Sequence, residues 1–156
     1  MAKVLPFKSQ FGKAQGGRRG DLNDQYFRSS WEANYARFLN MCKIPWEYET
    51  KTYLFEKKTF VFQGKIHRLN GVTRGSRRYI CDFYLPRSDE LIEIKGYMDS
   101  QSKTKLARMA RYFPEVKLTV IGKEFFQEVC KKRTCRMISP HYECPHVAGR
   151  KNHAQT

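Results

Sequence analysis

Apolar positions follow a helical period in one part of the chain and alternate in others. Trp31, Tyr35, Phe38, Leu39 and Cys42 recur at i, i+4, i+7, i+8 and i+11, which is one face of a helix. Ser29 with Glu32 three residues on forms a capping box at its start, and Pro45 ends it. Trp46–Thr50, Thr52–Glu56 and Thr59–Gly64 read as short strands. Lys65 to Arg78 reads as a basic, Gly-punctuated loop. Tyr79–Leu85 and Glu90–Lys95 are rich in aromatic and β-branched residues and are separated by turn residues, which predicts a hairpin. Asp99 or Ser100 caps a second helix whose buried face carries Leu106, Met109, Ala110 and Phe113, and Pro114 stops it. Val116–Gly122 reads as a buried strand, and Lys123–Lys131 as a third helix with Phe125, Phe126, Val129 and Cys130 inside. A helix between two strands predicts a βαβ crossover, and so an α/β fold with a mixed sheet.

The hairpin has a chemical consequence. A four-residue loop from Pro86 to Asp89 pairs Leu85 with Glu90, Phe83 with Ile92, Asp82 with Glu93 and Ile80 with Lys95. Alternation then puts Asp82, Glu93 and Lys95 on one face, with Cys81, Phe83, Ile92 and Ile94 on a core face. Like charges directly opposite on a sheet repel by roughly 0.2–1 kcal/mol. A divalent cation between them reverses the sign, and oxygen ligands from one or two carboxylates suit Mg²⁺. The competing explanation is two solvated acids, each paired with a Lys or Arg. A one-residue slip in register would separate the pair.

Composition narrows the partners. The chain has 156 residues, enough for one domain with a core. No apolar run approaches the roughly 20 residues a membrane helix needs, and the N-terminus lacks the apolar stretch of a signal peptide. The expectation is a soluble intracellular protein with no membrane partner. Five cysteines, an odd number, fit a reducing compartment. Thirty Lys and Arg against fifteen Asp and Glu give a net charge of +15, the mark of a polyanion binder. A ribosome-associated or membrane-surface protein is the alternative. The absence of a strongly amphipathic basic helix with a Trp/Leu face argues against the membrane.

Residues 1–26 read as a basic flexible arm carrying Arg18 and Arg19, and 131–156 as a basic tail. Lys65, Arg68, Arg74, Arg77 and Arg78 of the basic loop, with Lys103, Lys105 and Arg108 of the second helix, are candidate phosphate contacts. In the tail, Cys135, His141, Cys144 and His146 offer thiol and imidazole ligands in the number a tetrahedral Zn²⁺ takes. Their spacing is not a common finger pattern, and a loose basic tail with incidental thiols is the alternative.

Taken together, Glu32 on a helix, Asp82 on a strand and Glu93-x-Lys95 on the next, followed by helix, strand and helix, resemble the PD-(D/E)XK nucleases. Within that superfamily, Phe27-Arg-Ser-Ser-Trp-Glu-Ala-Asn-Tyr-Ala-Arg-Phe-Leu, Trp46-Glu-Tyr-Glu, Asp82-Phe-Tyr-Leu-Pro and Glu93-Ile-Lys-Gly-Tyr-Met-Asp are similar to small phage endonucleases. These are of the endonuclease I junction-resolvase type and of the homing type built on the same fold. The resemblance covers residues 27–130. Three features depart from it: Cys81 where the family name puts proline, a long insert before Asp82, and the Cys/His tail.

The resemblance implies a restriction-endonuclease-like core (αβββαβα), a mixed central sheet flanked by helices. It implies Mg²⁺- or Mn²⁺-dependent hydrolysis of phosphodiester bonds in duplex or branched DNA. Glu32, Asp82, Glu93 and Lys95 would be catalytic, with Asp82, Glu93 and Glu32 holding Mg²⁺ and Lys95 orienting water or offsetting charge. A homodimer is expected, in the host cytoplasm if the gene is a phage's. A non-catalytic basic nucleic-acid-binding protein is the alternative of a different class. It has no need of those four residues together.

Overall fold

In the computed structural model, residues 16–144 are described. Most of the predicted arm, and His146, lie outside them. The chain divides into two units, residues 43–125 and the two segments that flank them. The mixed α/β class follows from the elements present.

The first segment opens with β1 (Gly17–Arg19) antiparallel to β2 (Gln25–Phe27). The turn between them carries Asn23 and Asp24 in the left-handed region, φ 56° for both, which Asn and Asp tolerate better than most residues. Residues 17–27 are therefore a hairpin and not a flexible arm. Helix α1 (Ser30–Met41) follows, with Ser29 as N-cap. It buries Ala33, Tyr35, Ala36 and Leu39, and also Glu32, Asn34 and Arg37. Cys42, expected on the buried stripe, is exposed because the helix ends one residue before it.

Unit 43–125 holds most of the sheet structure. Its first strands are β3 (Glu47–Tyr48) and β4 (Thr52–Leu54). Next come β5 (Lys58–Phe62) and β6 (Lys65–Leu69), paired antiparallel. Gln63 and Gly64, at φ 50° and 72°, turn the chain between them in two residues, as type I′ hairpins require. The first part of the predicted basic loop is thus a strand. Then come β7 (Arg78–Ile80), β8 (Phe83–Leu85) and β9 (Glu90–Lys95). Helix α2 (Ser100–Tyr112), capped by Asp99, leads to β10 (Lys117–Gly122).

The four-stranded sheet runs in the order β10-β9-β8-β3. β10 is parallel to β9 and the other neighbours are antiparallel, so the predicted crossover and mixed sheet are present. β10 lies at an edge and is half-buried, not buried throughout as its apolar run suggested. The core gathers Phe55, Tyr79, Cys81, Leu91, Met109 and Tyr112. On α2, Tyr112 is buried in place of the expected Ala110, which is exposed. The larger ring reaches Phe55, at 5.4 Å between centroids.

Helix α3 (Lys123–Lys131) contains the boundary between the units, and the short α4 (Cys135–Ile138) follows it. Trp31 of α1 stacks on Phe126 of α3 at 4.8 Å. Of the predicted tail, residues 131–144 are described, and a part-buried polar network ties them to α1. Arg37 donates to both Asp21 carboxylate oxygens at 2.8 and 2.9 Å, and to Glu143 Oε1 at 2.9 Å. Arg19 grips the same Glu143 at 2.6 and 3.0 Å. The Asn34 amide closes the set, donating to the Glu143 carbonyl at 3.0 Å and accepting the Glu143 N–H at 2.8 Å. Among the described residues no helix is long and apolar enough to cross a membrane.

Candidate active site

The β8–β9 hairpin has the predicted register, Leu85 with Glu90 and Phe83 with Ile92. The ladder stops there. Ile80 pairs with Thr52 of β4, not with Lys95, so the run Tyr79–Leu85 is two strands in different sheets. Asp82 stands at the break. Its Oδ2 accepts the Ile94 N–H at 2.6 Å, a side chain taking the place of the next rung.

Both carboxylates are buried: Asp82 is 9% exposed and Glu93 5%. Burying ionised groups costs several kcal/mol each unless partners compensate, and the partners are specific. Glu93 Oε1 lies 2.8 Å from the Lys95 ammonium, and Oε2 accepts from the Tyr79 hydroxyl at 2.6 Å. Lys95 is only partly buried, with about a third of its side chain exposed. Burial works against its charged form, but the Glu93 hydrogen bond and the charges of Glu93, Asp82 and Asp99 outweigh it and raise its pKa. Burial first, then Glu93 and Asp82, push the Tyr79 phenol far above its usual range, so it stays a donor. Burial likewise raises the Cys81 thiol to about 11, which leaves Cys81 inert at neutral pH.

Lys95 also lines an open cleft of about 480 Å³, with Tyr97, Lys103, Lys123 and Glu124 among its walls. A second cleft, of about 330 Å³, is lined by Ser76, Ser100, Thr104, Lys105 and Arg108. Arg108 braces the basic loop there, donating to the carbonyls of Ser76 at 2.9 Å and Arg74 at 3.2 Å.

The other candidate contacts separate by environment. Lys65, Arg68, Arg74, Arg77, Arg78 and Lys103 are exposed and available to a polyanion. Arg19 is engaged with Glu143, and Arg18 with Asp24 at 3.5 Å. Glu32, on α1, works in the capping box. Its Oε1 accepts from the Ser29 hydroxyl at 2.7 Å and its Oε2 from the Arg28 N–H at 3.0 Å.

The tail's metal ligands differ from expectation. The cysteines that come together are Cys130, Cys135 and Cys144, all buried, with their sulfurs within 4.8 Å of one another. This group could hold a metal ion. His141 is exposed and is not part of it, and His146 lies outside the described residues. Burial, then neighbouring Cys144, raises the Cys130 thiol to about 12, and the same two effects raise Cys135.

Tyr79 and Cys130 are the site residues the sequence reading missed. Cys130 was legible as an inward position of α3 but carried no finger-like spacing. Strict alternation puts Tyr79 on the face opposite Glu93. Only the break at Asp82, which no periodicity announces, lets its hydroxyl reach that carboxylate. No protein-family model, curated protein or solved structure matches this chain.

Proposed function

We propose that this protein is a divalent-metal-dependent DNA endonuclease, of the phage homing or junction-resolving type. The observation that carries the reading is the pair of buried carboxylates, Asp82 at the break before β8 and Glu93 on β9, with Lys95 beside Glu93. The order α1, β3, β8, β9, α2, β10, α3, with β10 parallel to β9, supports a restriction-endonuclease-like core.

The donor set fits Mg²⁺, because Asp82 and Glu93 offer hard carboxylate oxygens that the fold has already paid to bury. Bound there, Mg²⁺ would supply a Lewis acid to the scissile phosphate and a more acidic water. The chain's own residues do the positioning. The Ile94 N–H fixes the Asp82 carboxylate, and the Tyr79 hydroxyl fixes Glu93. Lys95, held protonated beside Glu93, would donate to a phosphate oxygen and offset charge developing on it. The resemblance also counts Glu32 among the catalytic acids, and its carboxylate serves the cap of α1. The exposed Lys65, Arg68, Arg74, Arg77, Arg78 and Lys103 supply backbone contacts, in keeping with the +15 charge. Cutting both strands of a duplex takes two such sites, which a homodimer provides.

The test is cleavage of supercoiled plasmid, linear duplex and a four-way junction, each with Mg²⁺ or with EDTA. Cleavage is expected only with the metal. Asp82→Asn, Glu93→Gln and Lys95→Ala are each expected to abolish it while DNA binding survives. Full cleavage by Asp82→Asn would overturn this site, and no cleavage of any substrate by the wild-type protein with Mg²⁺ would leave a basic DNA-binding protein.

A further inference from the structure

The endonuclease reading makes no use of the sulfur cluster in the flanking unit. Cys130 ends the buried face of α3, Cys135 opens α4, and Cys144 lies past the following turn. These three positions share one small core with Tyr142, against which Val129 and Ile138 pack. The spacing C-x4-C-x8-C brings the sulfurs together only because the turn after α3 reverses the chain. Arg133 makes that turn at φ 57°, and Thr134 donates through both its N–H and its hydroxyl to the Val129 carbonyl, at 3.1 Å each.

Two observations suggest that more than packing is at work. Zn–S bonds of about 2.3 Å at tetrahedral angles set sulfurs about 3.8 Å apart. Sulfurs already within 4.8 Å of one another would each need to move by about an ångström or less to reach that spacing. The second observation is Tyr142. Its ring is 2% exposed, and its hydroxyl has no hydrogen-bond partner among the described residues. The same hydroxyl lies within electrostatic reach of all three cysteines. A buried donor without an acceptor is costly. Thiolates drawn to a cation would give that hydroxyl anionic acceptors, whereas neutral thiols are poor ones.

We infer that Cys130, Cys135 and Cys144 are three ligands of a structural site for a thiophilic divalent ion such as Zn²⁺. A fourth donor from outside this trio would complete the shell. The ion would tie the end of α3, the start of α4 and the chain around Cys144 into one knot. Glu143 is the neighbour of Cys144, and its carboxylate binds Arg19 and Arg37. The site would therefore set the position of the acid on which the α1 network closes. Its role is architectural and separate from the Asp82–Glu93 carboxylates in chemistry, soft sulfur against hard oxygen.

The experiment uses the full-length protein, expressed in zinc-supplemented medium and purified without chelator. Elemental analysis is expected to find about one zinc per chain. Exchange into Co²⁺ is expected to give thiolate-to-cobalt charge transfer and the strong visible bands of a tetrahedral site. An ion on carboxylates alone gives no such charge-transfer band. Cys130→Ser is expected to lose both the zinc and the band, while His141→Ala and Cys42→Ser keep them. Zinc lost in His141→Ala but kept in Cys130→Ser would overturn this ligand set. So would a disulfide among the three cysteines in the freshly purified protein. Should Cys130→Ser fail to fold, the wild-type cobalt spectrum decides, and no charge-transfer band there overturns the site.

Discussion

Tyr79→Phe isolates one bond in the candidate active site. The ring remains packed with Phe55, Leu91 and Met109, and only the hydroxyl that donates to Glu93 Oε2 at 2.6 Å is removed. That oxygen belongs to a carboxylate 5% exposed, so water does not readily replace the lost donor. A hydrogen bond to a charged group contributes about 1.5–3 kcal/mol, and leaving the buried acceptor unmet puts the cost in the upper part of that range. With a urea dependence of about 1–3 kcal/mol per molar, the unfolding midpoint falls by about 1 M. Trp46 packs edge-on against Phe83 at 5.6 Å in the same unit, so its fluorescence reports this transition. A Trp31→Phe background removes the other indole. The pH dependence has a definite sign. The Tyr79 pKa is raised on folding, so its contribution is fully present below about pH 10, where the phenol is neutral in both states, and is lost as pH rises further. The gap between wild type and variant should hold from neutral pH to about 10 and narrow above it. If the protein is the nuclease proposed, the loosened Glu93 should also raise the Mg²⁺ concentration for half-maximal cleavage by about 10–100-fold. A midpoint unchanged at pH 7 would refute the reasoning that this bond supports the buried acid.

Three further expectations are independent of that one. Glu32→Gln keeps one side-chain oxygen for the cap and should cost about 0.5–2 kcal/mol in thermal or urea melts, leaving the protein folded. It should also lose most cleavage, and near-normal turnover would confine Glu32 to capping α1. Neutralising Arg74, Arg77 and Arg78 together should weaken DNA binding and flatten the log–log salt dependence by up to about 2.7, at about 0.9 per phosphate contact. An unchanged slope in a binding titration would place the interface elsewhere. Arg37→Ala removes both hydrogen bonds to Asp21 and leaves Glu143 to Arg19 alone, and should destabilise the flanking unit by about 1.5–3 kcal/mol, read by Trp31 fluorescence. The Arg37 hydrogen bond holds the Asp21 carboxyl below its usual range, so its share of stability is present above about pH 4 and is lost as pH falls lower. The variant's deficit should shrink correspondingly in acid.

The parts of this molecule that could be read from sequence are those whose cause is local. The α1 cap, the α2 cap at Asp99 and the loop from Pro86 to Asp89 follow from residues within one turn of each other, and each appears as expected. The β9–α2–β10 crossover follows from element order alone. What escaped depends on distant chain. Residues 17–27 look like a loose basic arm until Glu143, more than a hundred positions on, supplies the carboxylate that holds Arg19. The β5–β6 hairpin was hidden because Gln63-Gly64 is a weaker turn signal than Asn-Gly, so the strand after it merged with the basic loop. Helix α1 buries Asn34 and Arg37 on what a hydropathy stripe marks as its polar side, since their partners come from Asp21 and Glu143. In the sulfur cluster, residue type was legible but the choice of Cys130 over His141 was not, because that choice is made by the turn at Arg133.

The Glu143 network also sets an order of events during synthesis. Every residue of unit 43–125 has been translated before synthesis reaches α4. Helix α1 is made earlier still, yet Arg37 and Asn34 have no Glu143 until nearly the whole described chain exists. Domains generally assemble from the N-terminus as they emerge, but here α1 is among the last of the described elements to be completed. Until then its buried-to-be arginine stays hydrated, and α1 waits for the residue that closes its network.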